Sequence, residues 1–283
     1  MHYKSSKFNI FFVAISASAA LTAPNNSAWG NPKAEALCDK AIVEFGAGET
    51  RDLAMKHIDE ALSMAPKEAR YWQTKAMFLL KLEESELALP CVNKSLQLNS
   101  NSDYAYVLKA DILSSLNRFE EAFSIINHRI KLNPCSENLV TKAKIFMRQG
   151  KYELAEKELD KLVNSNSNDA LARQKRAIVA IRLKHWQKAI EDLSFLIDKA
   201  QVKNTSYYED LLARAKAYTA NKQYEKAIAD CKAGLKGQPE VPQFYAALLK
   251  VYEASGNASE AKRMRKELDT VEDDFRPPRS YRY

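Results

Sequence analysis

The chain has 283 residues, of which 46% are hydrophobic and 28% are charged, and its formal net charge is +7. This balance excludes a compositionally disordered protein, and the length allows one large core or an extended array of repeats. Glycine is scarce, with 7 residues, while Ala, Leu, Lys and Glu are abundant, so the composition favours helices and disfavours a β-sheet.

The first thirty residues predict a secretory signal peptide. Lys4 and Lys7 precede a short apolar run at residues 11–15, small residues follow that run, and no acidic residue occurs before Glu35. This order of basic, apolar and small residues is typical of exported proteins. The apolar part is too short for a membrane span, and an uncleaved N-terminal anchor is the alternative. The expected location is therefore outside the cytoplasm, with the periplasm or cell envelope preferred.

Three cleavage points fit this leader, after Ala19, Ala28 or Gly30. Removal of residues 1–30 leaves 41 basic and 36 acidic residues, which is a net charge of +5. Because this excess is small and interspersed along the chain, it gives little support to a polyanionic partner.

The four cysteines do not form a metal-binding pattern. Cys38, Cys91, Cys135 and Cys231 contain no C-x-x-C pair and no Cys/His cluster with zinc-ligand spacing. In an exported protein some of them could pair, but buried unpaired cysteines are also common in helices. The sequence leaves both arrangements open.

A short motif recurs along the chain. It reads NRFEEA at residues 117–122, GKYELA at 150–155, HWQKA at 185–189 and QYEKA at 223–227. With weaker copies, the final alanine of the motif forms a series: Ala54, Ala88, Ala122, Ala155, Ala189, Ala227 and Ala261. The separations are 34, 34, 33, 34, 38 and 34 residues. A period of this length indicates stacked helical repeats.

A second small residue precedes most of these alanines by twelve positions. The positions are Ala76, Ala110, Ala143, Ala177 and Ala215, and the first and last repeats depart from the rule with Ile42 and Leu249. Prolines twelve residues after some of the motif alanines close several repeats, as at Pro134, because proline cannot continue a helix.

Each repeat is therefore predicted to be two helices. In the third repeat they are expected at 104–116 and 119–132, with apolar residues recurring at intervals of three and four. The short polar turn between them makes the two helices antiparallel neighbours. A small side chain is needed where two helix backbones cross closely, which explains the recurring alanines.

The chain resembles the tetratricopeptide repeat family over about residues 35–270. The resemblance is based on these alanines and on the aromatic residue that lies three positions before several of them. The resemblance implies an all-α fold, a right-handed α-solenoid of about seven stacked antiparallel helix pairs whose first helices line a concave groove. The predicted divisions are a signal peptide at 1–30, a solenoid at 31–271 with repeats that start near 35, 69, 103, 136, 170, 208 and 242, and a flexible basic and aromatic tail at 272–283, for which a docking motif is the alternative.

The separation from Ala189 to Ala227 is 38 residues, whereas most of the other separations are 34. Four residues are therefore added in this repeat, near 199–205. Four residues make about one helical turn. The addition is expected either to lengthen the preceding helix or to lengthen the loop.

No residue pattern indicates catalysis. Glu120 and Glu121 are adjacent on a helix, so their side chains diverge by about 100° and do not converge on one substrate atom. His57 and Glu60 lie one turn apart without a third metal ligand, and the chain has no phosphate-binding loop or H-E-x-x-H motif. The sequence therefore predicts a protein that is not an enzyme and that needs no cofactor and no metal.

The groove implied by the resemblance gives the candidate binding residues. They are Met77, Val107, Asp111, Val140, Lys144, Met147, Arg148, Lys175, Ile178, Arg182 and Lys216. An apolar strip flanked by basic side chains suits an extended or helical peptide with some negative charge. The alternative is that the apolar residues of this set pack between neighbouring repeats.

The predicted function is that of a non-enzymatic scaffold or adaptor of the cell envelope or secretory space, with a role in envelope complex assembly as one version. It would bind a peptide or a partner protein in the groove; no small-molecule substrate, nucleic acid or membrane span of the mature chain is expected. A binder of an anionic polymer or surface, through basic groove and tail residues, is the alternative. The two differ in their response to salt.

Overall fold

The computed structural model describes residues 31–48 and 50–274, and these residues form fourteen α-helices and no strand. They divide into two compact units, one ending at Lys175 and one starting at Arg176. The predicted signal peptide and residues 275–283 of the predicted tail lie outside the described residues, so their assignments remain predictions. Residues 272–274, which were predicted to belong to the tail, are part of the last helix.

The first unit contains α1 (Pro32–Ala47), α2 (Arg51–Met64), α3 (Ala69–Lys81), α4 (Ser85–Leu98), α5 (Asp103–Ser115), α6 (Phe119–Leu132), α7 (Ser136–Arg148) and α8 (Tyr152–Ser165). Helix α9 (Ala170–Leu183) contains the division between the units. The second unit continues with α10 (Trp186–Lys199), α11 (Thr205–Ala220), α12 (Tyr224–Gly237), α13 (Pro242–Ala254) and α14 (Ala258–Asp274).

Consecutive helices form antiparallel pairs. Within the first unit α1 packs on α2, α3 on α4, α5 on α6 and α7 on α8, and within the second unit α11 packs on α12 and α13 on α14. Turns of only two or three residues separate the two helices of a pair. Such short turns force the second helix to run back along the first. The predicted all-α fold of seven helix pairs is thereby confirmed.

The recurring alanines lie where the helices of a pair cross. Six of the seven motif alanines have no exposed surface, and Ala261 is 8% exposed. The five small residues of the first helices, Ala76, Ala110, Ala143, Ala177 and Ala215, are buried as well. A larger side chain at these crossings would push the helix backbones apart. The burial of these alanines agrees with the explanation of the repeat by close helix packing.

In six of the helix pairs the turn has a left-handed residue at one fixed position. These residues are Glu83, Asn117, Gly150, Lys184, Lys222 and Gly256; in the first pair, Gly48 also has a positive φ, but one position earlier. The next N–H donates to a carbonyl five residues back, as Arg118 N does to Leu113 O at 2.8 Å. This bond satisfies a carbonyl at the end of the first helix and reverses the chain toward the second.

The first repeat packs one residue out of the expected register. Ile42, which takes the place of the small residue in the sequence pattern, is 37% exposed, whereas Ala41 is fully buried. The buried residues Ala34, Cys38, Ala41 and Phe45 follow the three-and-four spacing of one helix face. Since this spacing brings Ala41 to the interior, Ala41 provides the close contact in this repeat.

The four added residues near 199–205 do not lengthen the preceding helix. Helix α10 has 14 residues, like α12, whereas α11 has 16 residues and α13 has 13. The insertion therefore mainly forms an extra first turn of α11. Asn204 caps this turn, since its side-chain oxygen accepts a hydrogen bond from Tyr207 N at 3.1 Å. The sequence predicts either a longer preceding helix or a longer loop. The lengthening of the following helix is not among these alternatives.

Ion pairs connect the two helices of three successive repeats. Each joins a basic residue of the first helix to an acidic residue sixteen positions later: Lys142 to Glu158 at 3.6 Å, Arg176 to Asp192 at 2.7 Å, and Arg214 to Asp230 at 2.8 Å. The two arginine pairs are bidentate; the pair of Arg176 is buried and the pair of Arg214 is partly buried. Such pairs fix the relative position of two helices because an unpaired buried charge is costly.

Candidate binding face of the first helices

In the first unit the first helices of neighbouring repeats lie side by side. Helix α3 contacts α1 and α5, and α5 contacts α7. Residues at the same position of consecutive repeats therefore become neighbours. Asp111 of α5 and Lys144 of α7 show this directly, since their side chains form an ion pair although they are 33 residues apart. We call the surface formed by Met77, Tyr104, Asp111, Glu137, Lys144 and Lys175 the first-helix face.

Lys175 of α9 belongs to the same cluster of charges. Burial lowers the pKa of its ammonium group, and the nearby positive charge of Lys144 lowers it further, while Asp111 acts in the opposite direction. Lys175 makes no ion pair or hydrogen bond with any residue that the structure describes. The structure thus brings together three of the predicted groove residues, Asp111, Lys144 and Lys175.

Asp111 retains unused hydrogen-bonding capacity. One carboxylate oxygen, Oδ2, accepts from Lys144. The other, Oδ1, is buried and accepts no hydrogen bond from residues 31–48 and 50–274. Buried carboxylate oxygens are normally satisfied, so this atom is an exception within the first-helix face.

Tyr104 and Glu137 extend the face toward the start of the helices. The hydroxyl of Tyr104 donates to the sulfur of Met77 at 3.3 Å. Burial raises the pKa of Tyr104 to about 12, with help from Glu137 and Asp111. The pKa of the Glu137 carboxyl is also raised, first by loss of surrounding water and also by Asp103 and Asp111, against the opposing effect of Lys144. Tyr104 was not among the predicted residues, although it takes the same place in its repeat as Glu137.

Two predicted groove residues are core residues instead. Val107 is 6% exposed and Val140 is 2% exposed. Val107 packs in one cluster with Ala110, Leu113 and other residues of α5, α6 and α7. For these two valines the alternative stated from the sequence holds, because a β-branched side chain at this position is enclosed by the adjacent helices.

The remaining candidates of the first unit are more accessible. Met147, near the end of α7, is half-buried, and Arg148 after it is exposed. These side chains follow Lys144 by one turn of the same helix, so they extend the first-helix face toward the C-terminal end of α7.

Three candidates lie in the second unit and are described within it. Ile178 is half-buried on α9, Arg182 is exposed at the end of that helix, and Lys216 is exposed on α11. The pKa of the Lys216 ammonium group is lowered, first by partial burial and then by the nearby positive charge of Lys250 on α13. Two lysines on adjacent first helices thus approach each other without an ion pair among the described residues.

The acidic pair in the NRFEEA motif lies elsewhere. Glu120 and Glu121 are exposed in the first turn of α6. Glu121 forms a surface ion pair with Arg118 at 2.7 Å. Acidic side chains in the first turn of a helix interact favourably with the positive end of the helix dipole. This position supports the structural explanation of the motif.

The described part of the chain shows no cluster of three or more metal-ligating side chains. All four cysteines are free thiols, and Cys38 is close enough to Thr74 for a weak hydrogen bond of 3.7 Å. Within residues 31–48 and 50–274, none of the helices combines the length and apolar character needed to cross a membrane.

Comparison with known proteins agrees with the repeat geometry. Family models described as tetratricopeptide repeat match residues 69–102, 103–134 and 140–199. A curated relative is the DnaJ homolog subfamily C member 7 homolog of Schizosaccharomyces pombe, 26% identical over 179 residues, which cover 57% of this chain. The matched region is 37% of that relative, so the chain spans well under half of its length.

Solved structures are similar in fold. Yeast Tom70 has a TM-score of 0.65 at 17% identity, covering 84% of this chain and 50% of Tom70. PilW, described as a widely conserved type IV pilus biogenesis factor, has a TM-score of 0.59 at 18% identity, covering 77% of this chain and 99% of PilW. At these identities the likeness shows the fold alone.

Proposed function

This chain belongs to the tetratricopeptide repeat family, and from that membership we propose that it is a non-enzymatic scaffold that binds a partner protein through its first-helix face. Tetratricopeptide repeat proteins generally act in protein–protein interactions. Stacked helices present a preformed surface, so an incoming segment pays little for ordering the scaffold.

The observation that carries the proposal is the unsatisfied chemistry of the first-helix face. Among the residues that the structure describes, Lys175 makes no ion pair, and a buried oxygen of Asp111 accepts no hydrogen bond. An acidic group of a bound partner would supply Lys175 with an opposite charge. Met77 and Met147 supply apolar surface beside these charges, and methionine adapts to varied partners.

We place this scaffold outside the cytoplasm, in the cell envelope or a secretory space. The support is the sequence of residues 1–30, with its lysines, short apolar run and small residues. PilW is described as a pilus biogenesis factor, but its likeness to this chain concerns the fold. A role in assembling an envelope complex is therefore a version of the proposal that rests on the leader.

One observation favours a second candidate function, binding of an anionic polymer or surface. Lys216 and Lys250 approach each other on α11 and α13 without a paired acid among the described residues. A polyanion would neutralise both charges. The affinity for a polyanion would fall steeply as salt is added. The affinity for a peptide that buries apolar surface would depend less on the salt concentration.

Crosslinking in living cells tests the proposed function. A photoreactive amino acid replaces Met147 on the first-helix face or, as a control, Lys157, which is exposed on α8. We expect illumination to attach one defined protein at position 147 and not at position 157. Equal labelling from both positions, or none from position 147, would reject the face as the binding surface.

Localisation is tested with the same cells. We expect the mature protein, shortened at its N-terminus, to be released with the periplasmic or secreted fraction. A full-length protein in the cytoplasmic fraction would contradict the proposed export.

A further inference from the structure

A cleft opens in the second unit at the turn between α9 and α10. It encloses about 540 Å³, and its walls include the turn, the first residues of α10 and the end of α11. Lys184, Trp186 and Asn221 come from these three places and line the same space. Helices α10 and α11 are in direct contact, so two neighbouring helices build the cleft.

Two lysines bring positive charge to this cleft. Lys184 is exposed in the turn and makes no ion pair or hydrogen bond with any residue that the structure describes. Lys188, in the first turn of α10, lines the same space. A third lysine, Lys222, follows Asn221 directly and is exposed. An anionic group is therefore attracted to the cleft.

The acidic groups beside the cleft do not cancel this charge. Asp192 forms the buried bidentate pair with Arg176, and this pair is neutral as a whole. Glu191 accepts a hydrogen bond from the side-chain amide of Gln187 at 3.1 Å and is exposed. The lining thus leaves two lysines against the single carboxylate of Glu191.

The indole of Trp186 adds a hydrogen-bond donor. Trp186 is half-buried, yet its N–H is accessible and makes no hydrogen bond with residues 31–48 and 50–274. The N–H of Trp72, by contrast, donates to the carbonyl of Pro66 at 2.8 Å. A partly enclosed indole N–H usually finds a partner, so the N–H of Trp186 is available to an acceptor that enters the cleft.

The fold does not require lysines at this place. Residues 182–188 read RLKHWQK, whereas the equivalent turn of the second repeat, residues 81–87, reads KLEESEL with three glutamates. Both turns have the same backbone form, with Glu83 and Lys184 at positive φ. Cations at the start of a helix are also disfavoured by the helix dipole. Folding therefore does not account for these lysines, whereas binding of an anion does.

We propose that this cleft is a binding site for a phosphate group. A phosphate monoester carries close to two negative charges near neutral pH and has three acceptor oxygens. It accepts from the ammonium groups of Lys184 and Lys188 and from the indole N–H of Trp186. A carboxylate offers less charge and fewer oxygens. The site is separate from the first-helix face and does not depend on the proposed function.

The test follows the indole signals of the full chain, isotopically labelled at tryptophan, by NMR at low ionic strength. The probes are glycerol phosphate and malonate, which are both small dianions near neutral pH. We expect glycerol phosphate to shift the Trp186 signal, to leave the Trp72 signal in place and to bind more tightly than malonate. Equal affinities for the two probes would overturn the assignment to phosphate.

A second arm presents the phosphate group on a lipid. Vesicles of phosphatidylcholine are compared with vesicles that also contain phosphatidic acid. If only the phosphatidic acid vesicles change the Trp186 signal and glycerol phosphate does not, a lipid headgroup is the source of the phosphate. If glycerol phosphate binds, a soluble ester is sufficient. If neither probe affects Trp186, the inference is wrong.

Variants assign the effect to the cleft. Lys184→Gln should weaken binding of the effective probe about tenfold, the size of a lost hydrogen bond to a charged group. Lys151→Gln, at an exposed lysine in the turn between α7 and α8, removes the same charge and should change nothing. Equal losses in the two variants would show a general attraction of anions to the protein and would contradict the assigned site.

Discussion

Close contacts between helices determine which residue type is tolerated at some positions of this fold. The repeat pattern of the sequence reveals only some of these contacts. Gly234 of α12 is an example, because a Cβ built on it would overlap the ring of Phe244 on α13. Phe244 is 1% exposed and enclosed by the core of the second unit, so its ring has little room to move. The glycine is therefore required by packing, although glycine ordinarily weakens a helix.

Gly234→Ala is predicted to destabilise the protein by about 1–3 kcal/mol through overpacking. Gly46→Ala is the matched control, since a Cβ at Gly46 in α1 meets nothing within 4 Å. The control is expected to stabilise by about 0.5–1 kcal/mol, because alanine is the better helix former. Urea unfolding of both variants measures the difference. If the free energy of unfolding changed in the same direction in both variants, this explanation by packing would be contradicted.

Asp210 of α11 gives a prediction on pH. Burial, followed by the adjacent Glu209, raises its pKa to about 7. In the unfolded chain the same carboxyl titrates near pH 4. Between these two values the native state holds a proton that the unfolded state has released, so the free energy of unfolding falls as the pH rises.

Asp210→Asn, which stays neutral, is predicted to reduce this fall and to be more stable than the wild type at pH 8. Urea unfolding at several pH values between 4 and 8 measures the slope. Asp269→Asn, exposed on α14, is the control and should retain the wild-type slope. An unchanged slope in Asp210→Asn would show that this carboxyl does not titrate as described.

Helix pairs are held by charge as well as by small residues. Asp192 of α10 has no exposed side-chain surface and forms a bidentate pair with Arg176 of α9, whereas Glu158 of α8 is 18% exposed and is 3.6 Å from Lys142 of α7. The two pairs occupy the same places in consecutive repeats. Their difference in burial should therefore appear as a difference in stability.

Asp192→Ala is predicted to cost about 3–5 kcal/mol, because it leaves the Arg176 guanidinium buried without this partner. Glu158→Ala at the equivalent site should cost about 1 kcal/mol or less, since a wetter pair contributes less. Thermal unfolding of both variants compares them. Equal losses would mean that burial does not decide the strength of these pairs.

Much of the arrangement of elements could be predicted from the sequence, and the exceptions have physical causes. The spacing from Ala122 to Ala155 identifies the helix pairs because close crossings accept only small residues. The pattern aligns Ile42 with the small residues of the other repeats, as a departure from the rule, and the structure buries the smaller Ala41 beside it instead. The extra residues joined α11 because Asn204 caps a new first turn there.

At the scale of the whole chain, repeat periodicity predicts which side chains of the first helices become neighbours, but it does not predict their exposure. It aligns Asp111 with Lys144, and the structure joins their side chains in an ion pair. It also included Val107 and Val140, which are enclosed because the adjacent helices cover them. Tyr104 is not among the predicted residues, because the aromatic residues of the repeat pattern indicate packing positions and not the groove. The charge state of the cluster depends on burial, which periodicity does not encode.

The central claim is that the first-helix face binds a protein, and affinity for the crosslinked partner tests it most directly. Calorimetry compares the wild type with Met147→Glu/Arg148→Glu on the face and with Leu154→Glu/Lys157→Glu on α8, a control pair of the same residue classes. Thermal melts verify that both double variants are folded. The account predicts that the face variant binds at least about tenfold more weakly, while the control binds like the wild type. Unchanged affinity of the face variant, or a loss confined to the control, would contradict the account.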